Sequence, residues 1–124
     1  MTRRLLFVIS ATFALSSAMA ANKAIDLAQK KLKDGKYDDA IAGLEAELKR
    51  APKNAEVKTA LAQAHFVFGE FHMYSKGVPP VKKYPPALRQ FRKTVELDPG
   101  NRKAKDHIGM IEGIYRGMKK PIPE

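Results

Sequence analysis

GKYDDAIAGLEAELKRAPKN, residues 35–54, is answered further along the chain by YPPALRQFRKTVELDPGN, residues 84–101. Each places an alanine twelve positions before a proline and fourteen before an asparagine: Ala40, Pro52 and Asn54, then Ala87, Pro99 and Asn101. Around these points the apolar residues fall at i, i+3/i+4 spacing, the pattern of an amphipathic helix. Ala40, Ile41, Leu44 and Leu48 form one stripe, and Leu88, Phe91 and Val95 another. Three more are drawn by Ile25, Leu27, Ala28 and Leu32, by Val57, Leu61, Ala64 and Phe68, and by Ala104, Ile108, Ile111 and Tyr115. No run of alternating β-branched residues is long enough to compete as a strand, so the chain from residue 21 onward is expected to be all-α.

The punctuation explains the rhyme. Gly35 can take the left-handed conformation that closes a helix. Asp38 and Asp39 stand where the next helix begins, and carboxylates suit its positive end. Ala40 is small where two antiparallel helices must approach closely, and Pro52 discourages continuation past the last turn. Gly69, Ala87 and Pro99 are expected to do the same three jobs in the second unit. A lone helical hairpin cannot bury its apolar stripe, so such units must stack.

These residues resemble the tetratricopeptide repeat (TPR) family, whose unit is a helical hairpin of about 34 residues. Residues 21–54 carry Leu27-Ala28, then Gly35-x-Tyr37-x-x-Ala40, Leu44 and Pro52; residues 55–101 carry Leu61-Ala62, Gly69-x-Phe71, Ala87, Phe91 and Pro99. Residues 102–118 look like a lone first helix that caps the stack, with Ile108-Gly109 at the Leu-Gly place, and residues 119–124 like an extended tail. The family's usual tryptophan is replaced by Ala24, Lys58 and Lys105. The resemblance implies a short right-handed α-solenoid of two repeats and a capping helix, acting as a non-enzymatic adaptor that binds a peptide or partner protein. By position, its groove would be lined by Ile25, Gln29, Lys33, Thr59, Gln63, Phe66, Asp106, Met110 and Ile114. The family's carboxylate clamp uses a Lys/Asn/Arg set where this chain has Ile25, Gln29, Thr59, Ala60, Gln63 and His107, which argues against that ligand. Two and a half repeats are near the minimum for stability, so a large partner or self-association would help.

The second repeat is longer than the first by thirteen residues, which fall between its two helices as HMYSKGVPPVKKY, about residues 72–84. An insertion at a hairpin turn leaves the stack undisturbed. Either the first helix runs on for about one turn, followed by a loop over Lys76–Tyr84, or the loop begins near His72. Tyr74, Lys76, Lys82, Lys83 and Tyr84, stiffened by four prolines, make a second candidate contact surface. The plainer reading is that the loop folds over its own hairpin and hides its tyrosines.

Composition adds a direction. MTRRLLFVISATFALSSAMA has a basic start at Arg3 and Arg4, an apolar run from Leu5 to Leu15 and a small-residue site at Ala18-Met19-Ala20. That is the build of a signal peptide cleaved after Ala20, with an uncleaved anchor as the alternative, and it points to export, a bacterial periplasm in particular. With no cysteine, packing alone must hold the fold. Residues 21–71 carry 9 basic and 8 acidic side chains, whereas residues 72–124 carry 12 and 5. That basic half suits an acidic envelope polymer or a membrane surface as a second kind of partner. Nucleic acid is not expected for an exported chain without a nucleic-acid motif.

No catalytic constellation is legible. His65 and His72 are seven apart without a nearby carboxylate, too few ligands for a metal. No serine sits in a Gly-x-Ser-x-Gly setting, and no glycine-rich phosphate loop follows a strand. Asp38, Asp39, Glu45 and Glu47 read as helix-end and solvated charges. The expectation is a chain without enzyme activity, cofactor or metal.

Overall fold

The computed structural model describes the backbone of residues 2–124 and the side chains of residues 14–124. Over those residues the chain is all-helical: α1 (Thr2–Lys33), α2 (Tyr37–Arg50), α3 (Ala55–Met73), α4 (Pro80–Leu97) and α5 (Arg102–Gly117). They divide into two units, one ending at Val57 and the other running from Lys58 to Glu124.

In the first unit α1 packs on α2. The buried residues are small where the helices meet, Ala21, Ala28 and Ala40, with Ile41 and Leu44 filling the rest. Gly35 closes α1 as the sequence predicts, at φ +74°. Its N–H donates to the Leu32 carbonyl (3.1 Å) and that of Lys36 to Lys31 (2.8 Å), the paired bonds of a glycine-terminated helix. Asp38 and Asp39 occupy the first turn of α2, and Lys49 and Arg50 its last, so both ends suit the helix dipole.

α1 runs unbroken through the expected cleavage point, but among the described side chains burial starts just after it. Leu15 and Met19 are both 64% exposed, whereas Ala21 is 1% exposed. The Arg50 guanidinium bonds the Glu47 carboxylate and also donates to the Ser17 hydroxyl (3.3 Å) and carbonyl (3.2 Å). The hydrogen bond from Arg50 holds the Glu47 carboxyl below its ordinary range. Most of the proposed signal peptide, through residue 13, lies outside the described side chains.

The sequence rhyme is also a structural one. After α2, Ala51 donates to Glu47 (2.9 Å) and Asn54 to Ala51 (3.1 Å); after α4, Asp98 donates to Thr94 (2.8 Å) and Asn101 to Asp98 (3.1 Å). Ala51 (φ −129°, ψ 74°) and Asp98 (φ −135°, ψ 86°) share one backbone conformation. The asparagines have a job the repeat pattern did not disclose: each caps the next helix. Asn54 Oδ1 accepts from the Val57 N–H (3.1 Å) and Asn101 Oδ1 from that of Ala104 (3.0 Å). Burial repeats with the same offset, since Ala40, Ile41, Leu44, Val57 and Ala64 are answered by Ala87, Leu88, Phe91, Ala104 and Ile111. Replacing Asn54 or Asn101 by alanine is expected to cost about 1 kcal/mol each, and by glycine only a few tenths, in urea unfolding. Equal losses for alanine and glycine would show that the side-chain cap is not the cause.

The core of the second unit is built from Phe66 and Met73 of α3, Ala87, Leu88 and Phe91 of α4, and Ala104, Ile111 and Tyr115 of α5. Two polar links tie α3 to α4. Buried Thr94 donates to the Ala62 carbonyl (3.3 Å) or to that of Gln90 (3.1 Å), and buried His65 Nδ1 meets Gln90 Oε1 at 2.7 Å. The last residues are fastened as well: Arg92 donates to the Pro123 carbonyl (2.8 Å), and half-buried Ile122 packs on the core.

Two expectations need correction here. Gly69 does not close its helix, because α3 continues to Met73. A Cβ at Gly69 would stand 2.7 Å from the Phe91 ring, so this glycine makes room for an aromatic side chain. The expected loop over Lys76–Tyr84 is also displaced and shorter: α3 runs one turn past Gly69 to Met73, and α4 already begins at Pro80, which leaves residues 74–79. Pro80 suits the first helical position, but Pro85 and Pro86 lie inside α4 and each removes a helical hydrogen bond. The carbonyls left without those bonds belong to Val81 and Lys82, exposed residues where water can reach them. Burial of Ala87 and Leu88, with Tyr84 packed on the core, offsets the loss.

Candidate functional site

Where α3 and α5 meet, His107 is the hub. Its ring lies 4.8 Å from Phe91, 5.9 Å from Phe66 and 6.2 Å from Tyr74, centroid to centroid, and its Nε2 is 3.6 Å from the Glu70 carboxylate. Three elements therefore converge on one polar ring. The sequence placed His107 only at a departed clamp position, and no local signal marks it as a hub, because its partners come from α3 and α4.

The predicted groove residues divide by burial. Ile25 is half-buried on α1, with Gln29 and Lys33 exposed one and two turns on. On α3, Thr59 and Gln63 are exposed, but Phe66 is 6% exposed and belongs to the core. There Phe66 is tilted on Phe91 at 5.8 Å and serves packing. On α5, Asp106 is exposed, Met110 is 47% exposed and Ile114 is half-buried. Within the second unit, Gln63 lies about one turn from Phe66, and Asp106 and Met110 flank His107. Their exposed stripes therefore border the same α3–α5 seam.

The insertion presents a different surface. Tyr74 is 60% exposed, and Phe71 and Val81 are each 51% exposed, with Val78 close behind at 37%. Lys76 and Lys82 are exposed, while Lys83 is half-buried with its Nζ 5.4 Å over the Tyr84 ring. Tyr84 packs on the core, whereas Tyr74 is exposed with its ring edge-on to His107. Gly77 adopts φ +74° in the connection, which holds residues 74–79.

A cleft of about 370 Å³ opens beside His65, lined by Arg89, Gln90, Arg92, Lys93 and Glu96. Gln90 fixes one nitrogen of the imidazole, and Glu96 lies 3.5 Å from Lys93 at the surface. Among the described residues, no three His, Asp or Glu side chains gather as a metal site would require. The His72 ring tilts on Phe68 at 4.5 Å and meets Phe71 edge-on at 5.6 Å, an aromatic setting. Also among the described residues, no helix is long and apolar enough to cross a membrane. In comparison with known proteins, no family model and no curated protein matches this chain.

Proposed function

We propose that this chain is an exported, non-enzymatic interaction module of the TPR type, whose hairpins stack as a short right-handed α-solenoid and bind another polypeptide. The observation that carries this reading is the recurrence of one helix–turn–helix geometry, with the same turn, asparagine cap and buried positions at a fixed offset. A chain that repeats a hairpin with its side-chain chemistry is built to extend a surface, not to assemble one catalytic constellation. The α3–α5 seam offers exposed amide, carboxylate and thioether groups from Gln63, Asp106 and Met110, a mixed lining suited to an extended peptide or a helix. Among the described side chains, the onset of burial at Ala21, next to exposed Ala18, Met19 and Ala20, supports processing after Ala20.

Photo-crosslinkers at Gln63 and at Met110, in the native envelope, are expected to trap one and the same polypeptide, and one at exposed Lys49 is not. Different products at the two seam positions, or none, would count against the module. A second reading, attachment to an acidic envelope polymer or membrane through the basic half, is favoured by one feature. From Phe71 to Val95 the chain carries six lysines and arginines and no carboxylate.

A further inference from the structure

We propose that the α3–α4 end of the second unit docks on an anionic bilayer, seating its apolar tip among the lipid headgroups while the outer face of α4 lies against the phosphates. This rests on the second reading above and names its partner. On α4, Lys82, Arg89 and Lys93 stand at i, i+7 and i+11, one stripe along the helix, and all three are exposed. The face opposite holds Ala87, Leu88 and Phe91, each 0% exposed, so the core fixes which way the cations point. At the start of that stripe, Val78 and Val81 expose apolar surface and Val81 directly precedes Lys82, while Tyr74, 60% exposed, follows α3 with its ring edge-on to His107.

The apolar tip thus leads directly into the start of the cationic stripe at Pro80, and each needs the other. Three exposed side chains bury too little surface to hold a protein on a neutral bilayer. Cations alone bind without depth or orientation. Together they match a bilayer's own layering of anionic phosphates over apolar chains. The connecting segment is stiffened by Pro79 and Pro80, so little order is lost when it is seated. Glu96, the first carboxylate after this stretch, sits beside Lys93 at the far end of the stripe, away from the tip.

The chain has no tryptophan, so Tyr74→Trp supplies a single reporter at the tip. With the full chain and vesicles of equal parts phosphatidylglycerol and phosphatidylcholine, its emission is expected to shift blue and to be quenched by brominated acyl chains. Each cation near the surface contributes about a fivefold gain in affinity, so Lys82→Gln/Arg89→Gln/Lys93→Gln is expected to weaken vesicle binding about a hundredfold. Val78→Asp/Val81→Asp is expected to abolish the shift with the helical spectrum intact. Sedimentation with vesicles without a shift at residue 74 would overturn the docking, because the amino-terminal segment or charge alone would then account for binding. An equal shift on pure phosphatidylcholine would overturn it too, as would a shift produced by polyglutamate and not by vesicles. Any of these leaves the polypeptide seam to be judged separately by its crosslinks.

Discussion

Phe91→Ala is expected to remove about 3–5 kcal/mol of stability, the largest loss from any single truncation in the second unit. The ring is fully buried, tilted against Phe66 and His107, and seated over Gly69. Deleting it forfeits the transfer free energy of an aromatic side chain and leaves a cavity lined from three helices. Those helices cannot all close in, because α3 and α4 are held in register by the Thr94 and His65 links. A domain of this size has only about 5–15 kcal/mol to lose, so the variant should be partly unfolded near physiological temperature. Urea unfolding followed by circular dichroism reads the effect. A shift below about 1 kcal/mol would mean that Phe91 is not the centre of the core.

Gly69→Ala is expected to destabilise, although alanine is the better helix former by about 1 kcal/mol. The sign is decided by space. The added methyl would stand 2.7 and 2.8 Å from two Phe91 ring carbons, and a buried ring pinned by Phe66 and His107 cannot step aside. Overpacking of this kind costs about 1–3 kcal/mol, which outweighs the propensity gain or cancels it at the least. The control is Gly113→Ala on α5, where nothing lies within 4 Å of the new methyl and a gain of up to about 1 kcal/mol is expected. Phe91→Leu should recover part of the Gly69→Ala loss, since the two sites share one contact and are not additive. If both glycine variants stabilise, the close approach of α3 and α4 is wrong.

Gly109, Gly113 and Gly117 recur every four residues along α5, and all three are exposed. Each faces open space in this chain, and α5 stays helical through Gly117 because Ala104, Ile111 and Tyr115 anchor its other face. The stability of that helix comes from packing and not from propensity.

The amino-acid sequence by itself determined the helical class, the left-handed turn at Gly35, the acidic start of α2 and the internal repeat. All of these are set by residues within a turn or two of each other, where periodicity, helix-end charge and turn chemistry act. Only the tertiary structure decided that Gly69 yields to Phe91, that Phe66 belongs to the core, and that helix resumes at Pro80 and persists through Pro85 and Pro86. It also gathered His107, Glu70, Tyr74 and two phenylalanines around one seam. In each case the deciding contact joins residues many positions apart, and the free energy of burying them outweighs what the local chain would prefer.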